Sequence, residues 1–394
     1  MSSSLKPPDV VVGVAESLSE IAAEDWNALV GRDDPFLEHA FLSALERSGC
    51  VGGETGWQPN YVTVTENGRL VAACPAYEKW DSYGEYIFDW PWADAYHRAG
   101  ISYYPKIVVA CPFTPVNGPR ILVHPEHDAG RLVALVAERL LRLSEARGAS
   151  SVHVLFVPDR QCSQLESAGY LRRITHQFHW ENRGYRSFDG FLADLRSSKR
   201  KQILKERRRV AESGLKIEIV EGDDVRPEHL DAMWRFYRDT TGRKWGEAYL
   251  NREFFEEIGG SFRERLVLVT AREEGRLVAA TLNATKNRSL FGRYWGSSGH
   301  YPGLHFECCY YRLIDFAIER GIDLFEAGAQ GEHKFLRGFV ARPVYSAHWM
   351  AAEGGRNAIA GYLAQERPQT LDTIDRYNAV SPVKEARRHA RKGD

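Results

Sequence analysis

The chain has 394 residues, 43% of them hydrophobic, which is long for one core and comfortable for two domains of about 150 to 200 residues each. Its 52 basic and 53 acidic side chains nearly cancel, so no global field draws it towards nucleic acid or a membrane. No apolar run approaches the roughly 18 residues of a bilayer span, residues 1–8 lack the apolar core of a secretory signal, and six scattered cysteines have neither disulfide-framework density nor zinc-type spacing, all pointing to a reduced cytoplasmic chain without a metal site.

In chain order, residues 61–65 read as a strand, Asn67-Gly68 as a tight turn, and Gly68-Arg-Leu-Val-Ala-Ala73 as the return strand of a hairpin. A segment dense in Trp, Tyr, Phe and Pro follows, from about 79 to 119, with Tyr83-Gly-Glu-Tyr-Ile-Phe-Asp-Trp-Pro-Trp-Ala-Asp94 at its centre and Tyr103-Tyr-Pro-Lys106 after it. Such rings either fill the core behind an irregular loop or form a wall that grips an acceptor together with Asp89 and Asp94. A helix over 132–147, closed by Gly148, leads into a strand at 152–156.

Residues 188–209 read as one basic helix, with Ser187 or Asp189 as its N-cap and a stop near Gly214. Phe191, Leu195, Ile203, Leu204 and Val210 can face a core, while Lys199, Arg200, Lys201, Lys205 and Arg207 to Arg209 face outward. That outer face is either merely solvated or holds the phosphates of a nucleotide-linked acceptor, a CoA or a tRNA. Beyond it the earlier pattern returns: a strand at 266–270, a turn at Glu274-Gly275, and the same hexapeptide as Gly275-Arg-Leu-Val-Ala-Ala280. Arg293-Tyr-Trp-Gly-Ser-Ser-Gly299, a helix over 304–320 closed by Gly321, and a strand at 322–327 follow. The same order of elements in both halves argues for an internal duplication.

Only the second half then carries Gly328-Ala-Gln-Gly-Glu-His-Lys-Phe-Leu-Arg-Gly-Phe339. An amide, an acid, an imidazole and two cations (Gln330, Glu332, His333, Lys334, Arg337) crowd a glycine-punctuated loop at a strand end. That is either active-site wall or a solvated turn whose charges pair. Cys309 lies four residues after His305, so a Cys/His pair on one helix face is conceivable, against the commoner reading of a packed cysteine. No Ser/His/Asp order, Walker-type loop or dinucleotide fingerprint stands in context.

His305-Phe-Glu-Cys-Cys-Tyr-Tyr311 followed by Gly328-Ala-Gln-Gly-Glu-His-Lys334 resembles the FemAB-like N-acyltransferases, tandem relatives of the GNAT acyltransferases often labelled peptidoglycan-biosynthesis-like. Pro35-Phe-Leu37, Gly84-Glu-Tyr-Ile-Phe-Asp89, Tyr103-Tyr-Pro-Lys106, Pro112-Phe-Thr-Pro115 and Gln177-Phe-His-Trp180 extend the resemblance over about 35–366. It implies an α/β (α+β) chain of two GNAT-like domains with mixed, largely antiparallel sheets flanked by helices: 1–186, a basic helical linker 187–215, and 216–394.

The activity implied is transfer of an acyl or aminoacyl group to a small-molecule or peptide amine by direct attack, with acyl-CoA or aminoacyl-tRNA as co-substrate and no tightly bound cofactor. By resemblance Lys334 stabilises the oxyanion, and Glu307, His305 and His333 are the candidate proton acceptors, Glu307 having the alternative of a favourable first-turn acid. Substrate-binding candidates are Gln330, Arg337, Gln177, His179, Tyr83, Asp89, Tyr104, Lys106, Lys199 and Arg200. The usual GNAT pyrophosphate loop is missing before the helix in either half, and so is the long coiled-coil arm frequent in Fem enzymes, departures that bear on acetyl-CoA and on tRNA respectively. The alternative function is a non-catalytic module for a phosphorylated ligand or RNA.

Overall fold

Residues 9–244, 248–329 and 331–384 are described by a computed structural model. Its contacts divide the chain into two units: Met1–Gly31, Phe36–Ile174 and Val344–Arg367 form the first, and Arg32–Pro35, Thr175–Pro343 and Pro368–Asp394 the second. Both are discontinuous, so no single cut near 186 or 216 reproduces them.

In the first unit the strands are β1 (Val10–Ala15), β2 (Trp57–Glu66), β3 (Arg69–Lys79), β4 (Lys106–Val109), β5 (Leu122–Val123) and β6 (Ser151–Val157). Neighbours run β1-β2-β3-β4-β6 with β5 on β3; all these pairs are antiparallel except β4 and β6. The parallel pair needs a crossover, supplied by the helix Ala129–Ala146. Asp128 caps that helix through Gly130 N and Arg131 N, and Leu132, Val133, Val136, Ala137, Leu140 and Leu143 form its buried stripe. They pack on Val62, Val71, Cys74, Ile107, Val109, Val152 and Val154. Residues from the late chain close this sheet, His348 standing opposite His153 on β6.

β7 (Leu171–Glu181) passes from the first unit into the second, which adds β8 (Lys216–Glu221), β9 (Leu266–Glu273), β10 (Arg276–Lys286), β11 (Ser289–Ser297) and β12 (Leu324–Glu326). Their order is β7-β12-β11-β10-β9-β8, antiparallel except for β11 and β12. The crossover here is the helical run Leu304–Glu319, interrupted by a π-helical turn at Glu307–Tyr311. Both repeated hexapeptides begin at the turn and enter the return strand, β3 or β10. Both turns have two residues with positive φ, Asn67 (51°) with Gly68 (80°) and Glu274 (48°) with Gly275 (80°), as a type I′ hairpin requires. Each half thus repeats an antiparallel hairpin, a further strand, a helical crossover and a parallel strand. The last strand, β13 (Val340–Met350), divides between the units.

The basic segment departs from expectation in two respects. It forms two helices, Phe188–Asp194 and Ser197–Ala211, because Leu195 and Arg196 are extended and Leu195 bridges Val383. Ser187 is the cap of the first, accepting from Gly190 N. Phe188, Phe191, Leu192, Leu195, Ile203 and Val210 lie in the second unit's core, whereas Leu204, expected to face a core, is 48% exposed.

Candidate functional site

β12 ends at Glu326, and the chain turns through Gly328 (φ 80°) and Gly331 (φ 109°) into a short 3₁₀ turn, Glu332–Arg337. A side chain at Gly331 would place its Cβ 2.4 Å from the His333 ring, so glycine is needed there for close approach as well as for φ. The turn sends Lys334 inward: it is 2% exposed, and its Nζ donates to the Gly328 carbonyl at 2.5 Å. Among the described residues no carboxylate reaches ion-pair distance of that nitrogen. Burial pushes the Lys334 pKa down to about 7; Cys309 nearby works the other way, and the Arg293 guanidinium adds to the depression. Lys334 is therefore a buried amine able to exchange a proton near neutral pH.

His333, next to it, has Nε2 2.8 Å from the Tyr310 hydroxyl and packs against the rings of His305 and Phe306, each at 5.8 Å. Tyr310 belongs to the π turn, which inserts an extra residue into the helix and re-aims the side chains that follow it. Arg337 is buried, 3.3 Å over the Phe306 ring; it donates to the His333 carbonyl at 2.9 Å and to both oxygens of Glu206. Glu307 is buried between Arg207 at 3.2 Å and Arg312 at 3.3 Å. Burial raises its pKa while the two guanidiniums oppose that rise. Gln177 and His179 sit buried on β7, His179 Nε2 3.2 Å from Gln177 Oε1 and 4.0 Å from Glu326. Burial, with Lys334 and Arg342 acting in the same sense, drives the His179 pKa to about 3, so this imidazole is neutral.

Lys334, His333, His305, Arg337, Glu307, Gln177 and His179 thus all belong to the second unit. Gln330 lies outside the described residues. Cys309 is a free thiol whose pKa burial pushes well up, reinforced by Cys308 and opposed by Lys334, so it lacks the thiolate that an acyl-enzyme requires. Lys199 donates to Gln202 at 3.2 Å. Arg200, Lys201, Lys205, Arg208 and Arg209 have no ion-pair partner among the described residues. Glu206, Tyr310 and Arg293 went unrecognised as site residues; only the adjacent tyrosines of the His305 run hinted at one of them.

The first-unit candidates have a different character. Lys79 and Lys106 stand directly opposite each other across β3 and β4, a like-charge pair buried in a sheet. Lys106 places its three donors on Asp89 at 2.5 Å, Ser82 at 2.7 Å and Glu85 at 3.0 Å. Lys79 lies 3.8 Å over the Trp57 ring and donates to Asp81 and to the Tyr83 carbonyl. Burial works against the charge of Asp89, but Lys106 and His153 hold its carboxyl below the usual range, while burial lifts Glu85 to about 7. These contacts staple the aromatic segment to the sheet. Tyr104 is half-buried with its hydroxyl on Ser82 at 2.8 Å, and Tyr83 is exposed, edge-on to Trp90. No group of three or more metal-ligating side chains is found among the described residues, and no helix there is long and apolar enough to cross a membrane.

The model of the FemAB-like family, described as peptidoglycan biosynthesis/recognition, matches residues 17–385. Among solved structures, the C-terminal domain of a putative lysylphosphatidylglycerol synthetase from Agrobacterium fabrum superposes with a TM-score of 0.55 at 13% identity, over 88% of this chain and 97% of that one. FemX superposes with a TM-score of 0.53 at 10% identity, over 89% of this chain and 100% of that one. These likenesses establish a shared fold. No curated protein matches the sequence significantly.

Proposed function

We propose that this chain, which belongs to the FemAB-like family, is an N-acyltransferase that moves an acyl or aminoacyl group from an activated donor to an amine, with Lys334 at the reacting centre. Family membership supports the transferase class. The observation that carries the reading is Lys334 itself: a buried amine with a pKa of about 7, no carboxylate partner among the described residues, and a loop built to hold it. An acceptor amine is an ammonium at neutral pH and must lose a proton before it attacks. Neutral Lys334 takes that proton, and the freed lone pair bonds to the donor's carbonyl carbon. Charged Lys334 then stands beside the oxyanion that forms. As the intermediate collapses, the bond to the leaving thiolate or ribose oxygen breaks, that group recovers the proton from Lys334, and the new amide nitrogen sheds its remaining extra proton to solvent through the neutral Lys334 amine. One side chain so joins the cationic role assigned by resemblance to that of base. Glu307 is committed to two arginines and His333 Nε2 to Tyr310, which leaves both less available than Lys334 to an incoming amine. The donor is acyl-CoA or aminoacyl-tRNA, and the acceptor a small-molecule or peptide amine.

The test is a mass-spectrometric and thermal-shift screen with CoA thioesters and charged tRNA, followed by turnover of Lys334→Ala on the donor found. Turnover should fall about two to three orders of magnitude with the fold retained, the scale of losing one oxyanion donor. In the unmodified enzyme kcat/KM should rise with pH through about 7. Near-normal turnover of Lys334→Ala removes the residue from the mechanism. A second reading, capture of a phosphorylated ligand or RNA without chemistry, draws on those cations of the helix Ser197–Ala211 that have no ion pair among the described residues, and predicts binding without product.

A further inference from the structure

The helix Ser197–Ala211 carries seven basic residues and one acid, Glu206. An acid in such surroundings would ordinarily be neutralised along its own helix. Glu206 instead turns into the unit, where its carboxylate receives four donated hydrogen bonds. Arg337 Nη2 lies 3.2 and 3.1 Å from its two oxygens, Gln202 Nε2 is 2.9 Å from Oε1, and the Tyr311 hydroxyl donates to Oε2. Two of these partners come from the segments that frame Lys334. Arg337 ends the 3₁₀ turn and reaches back to the carbonyl of His333, one residue before Lys334. Tyr311 ends the π turn, beside the Tyr310 that holds His333 Nε2.

We infer that Glu206 is the positioning residue of this site, a carboxylate that ties the π turn to the turn bearing Lys334 and so keeps the lysine in its dry setting. The inference rests on the reading of Lys334 given above. Arg337 is buried and its guanidinium has no other carboxylate within ion-pair distance among the described residues. Removing Glu206 leaves that charge uncompensated, and a buried cation in that position is relieved by moving towards water. Because Arg337 holds the His333 carbonyl, the turn follows it, and Lys334 gains solvent. Arg207, the next residue, grips Glu307 of the same π turn at 3.2 Å, so the inner face of the basic helix braces both turns. Burial is the largest influence on the Lys334 ionisation, ahead of Cys309 and Arg293, and burial is what a shift of the turn changes.

The experiment is an NMR titration of side-chain-labelled lysine in the full chain, with the Lys334 resonance identified by its loss in Lys334→Arg. The unmodified protein should show one lysine titrating near 7. Glu206→Gln keeps the shape but not the charge and should raise that midpoint by about one unit or more as the turn hydrates. Tyr311→Phe, which removes one of the four bonds, should move it less and in the same direction, and serves as the test should Glu206→Gln not fold. A merely stabilising Glu206 would lower the unfolding free energy without moving the Lys334 midpoint, and that result in a folded variant overturns the inference while leaving the Lys334 mechanism intact. Absence of any near-neutral lysine in the unmodified protein instead overturns the mechanism.

Discussion

Lys334, the residue proposed to react, works against the stability of its fold. An ammonium is hydrated in the unfolded chain and desolvated in the native one, and no carboxylate among the described residues pairs with it, so its pKa falls from 10.5 to about 7. Between those values the unfolded chain binds the extra proton and the folded chain does not. Stability attributable to Lys334 therefore rises with pH across that window, and the penalty is complete below about 7. Lys334→Met replaces the amine with an apolar side chain of similar length. It should stabilise the protein by about 1–3 kcal/mol at pH 7 and flatten the pH dependence above neutrality while abolishing turnover. Denaturant unfolding of the two proteins at pH 6, 7.5 and 9 would reveal the gain and its shrinkage towards high pH. A destabilised Lys334→Met at pH 7 would mean that the amine is favourably paired after all. Lys106 makes the contrast within one molecule. It too is buried, yet with two carboxylates and a hydroxyl on its three donors its pKa is raised, burial opposing and Glu85 and Asp89 prevailing. Burial acts on both lysines, and only at Lys106 do carboxylates offset it fully.

At the scale of elements, the two copies of the hairpin differ at one informative position. The first turn uses Asn67, a residue that tolerates positive φ, whereas the second places Glu274 there at φ 48°. Glu274→Asn should stabilise the second unit by about 0.5–1 kcal/mol, readable as a rise in midpoint with an unchanged denaturant slope. The reciprocal Asn67→Glu should lose a similar amount, and equality of all four proteins would show that strand pairing alone dictates the turn. The basic helix shows a finer division of labour. Its inner residues Glu206 and Arg207 hold the 3₁₀ turn bearing Lys334 and the π turn, while Arg200, Lys201, Lys205, Arg208 and Arg209 carry no ion pair among the described residues. A single charged run thus contains structural and free charges at adjacent positions, separated only by the 100° step of the helix.

For the whole molecule, the discontinuous units have a consequence for dissection. β6 receives its antiparallel neighbour from Tyr345–Met350, nearly two hundred residues later, and Val344–Arg367 belongs to the first unit. A fragment ending at 186 leaves β6 as an open apolar edge, and such edges aggregate. Fragment 1–186 should be insoluble or unfolded, and supplying 344–367, by fusion or in trans, should improve its solubility. A soluble, cooperatively folding 1–186 would show that the late strand is dispensable. Arg173 points the same way, since its buried guanidinium takes both oxygens of Glu366 at 2.8 and 2.9 Å.

What the sequence determined by itself was whatever is local in register. The hexapeptide repeat marked both hairpins, Asn-Gly and Glu-Gly marked their turns, and the glycines after the helices, Gly148 and Gly321, lie at positive φ where C-caps were expected. The glycine-rich loop holding Lys334 was also legible, because clustering of polar types beside an apolar strand is a linear property. Tertiary structure alone decided the rest. The helices Pro227–Lys244 and Arg252–Ser261 went unrecognised, and the break at Leu195 follows from its pairing with Val383. Whether a charged side chain faces a partner or solvent depends on what another segment brings to it. Lys106 meets Glu85 and Asp89, Glu307 meets Arg207, and Glu206 meets Arg337 across more than a hundred residues; Lys334 meets no carboxylate among the described residues. Charge is written in the sequence, but its compensation is a matter of distance in space.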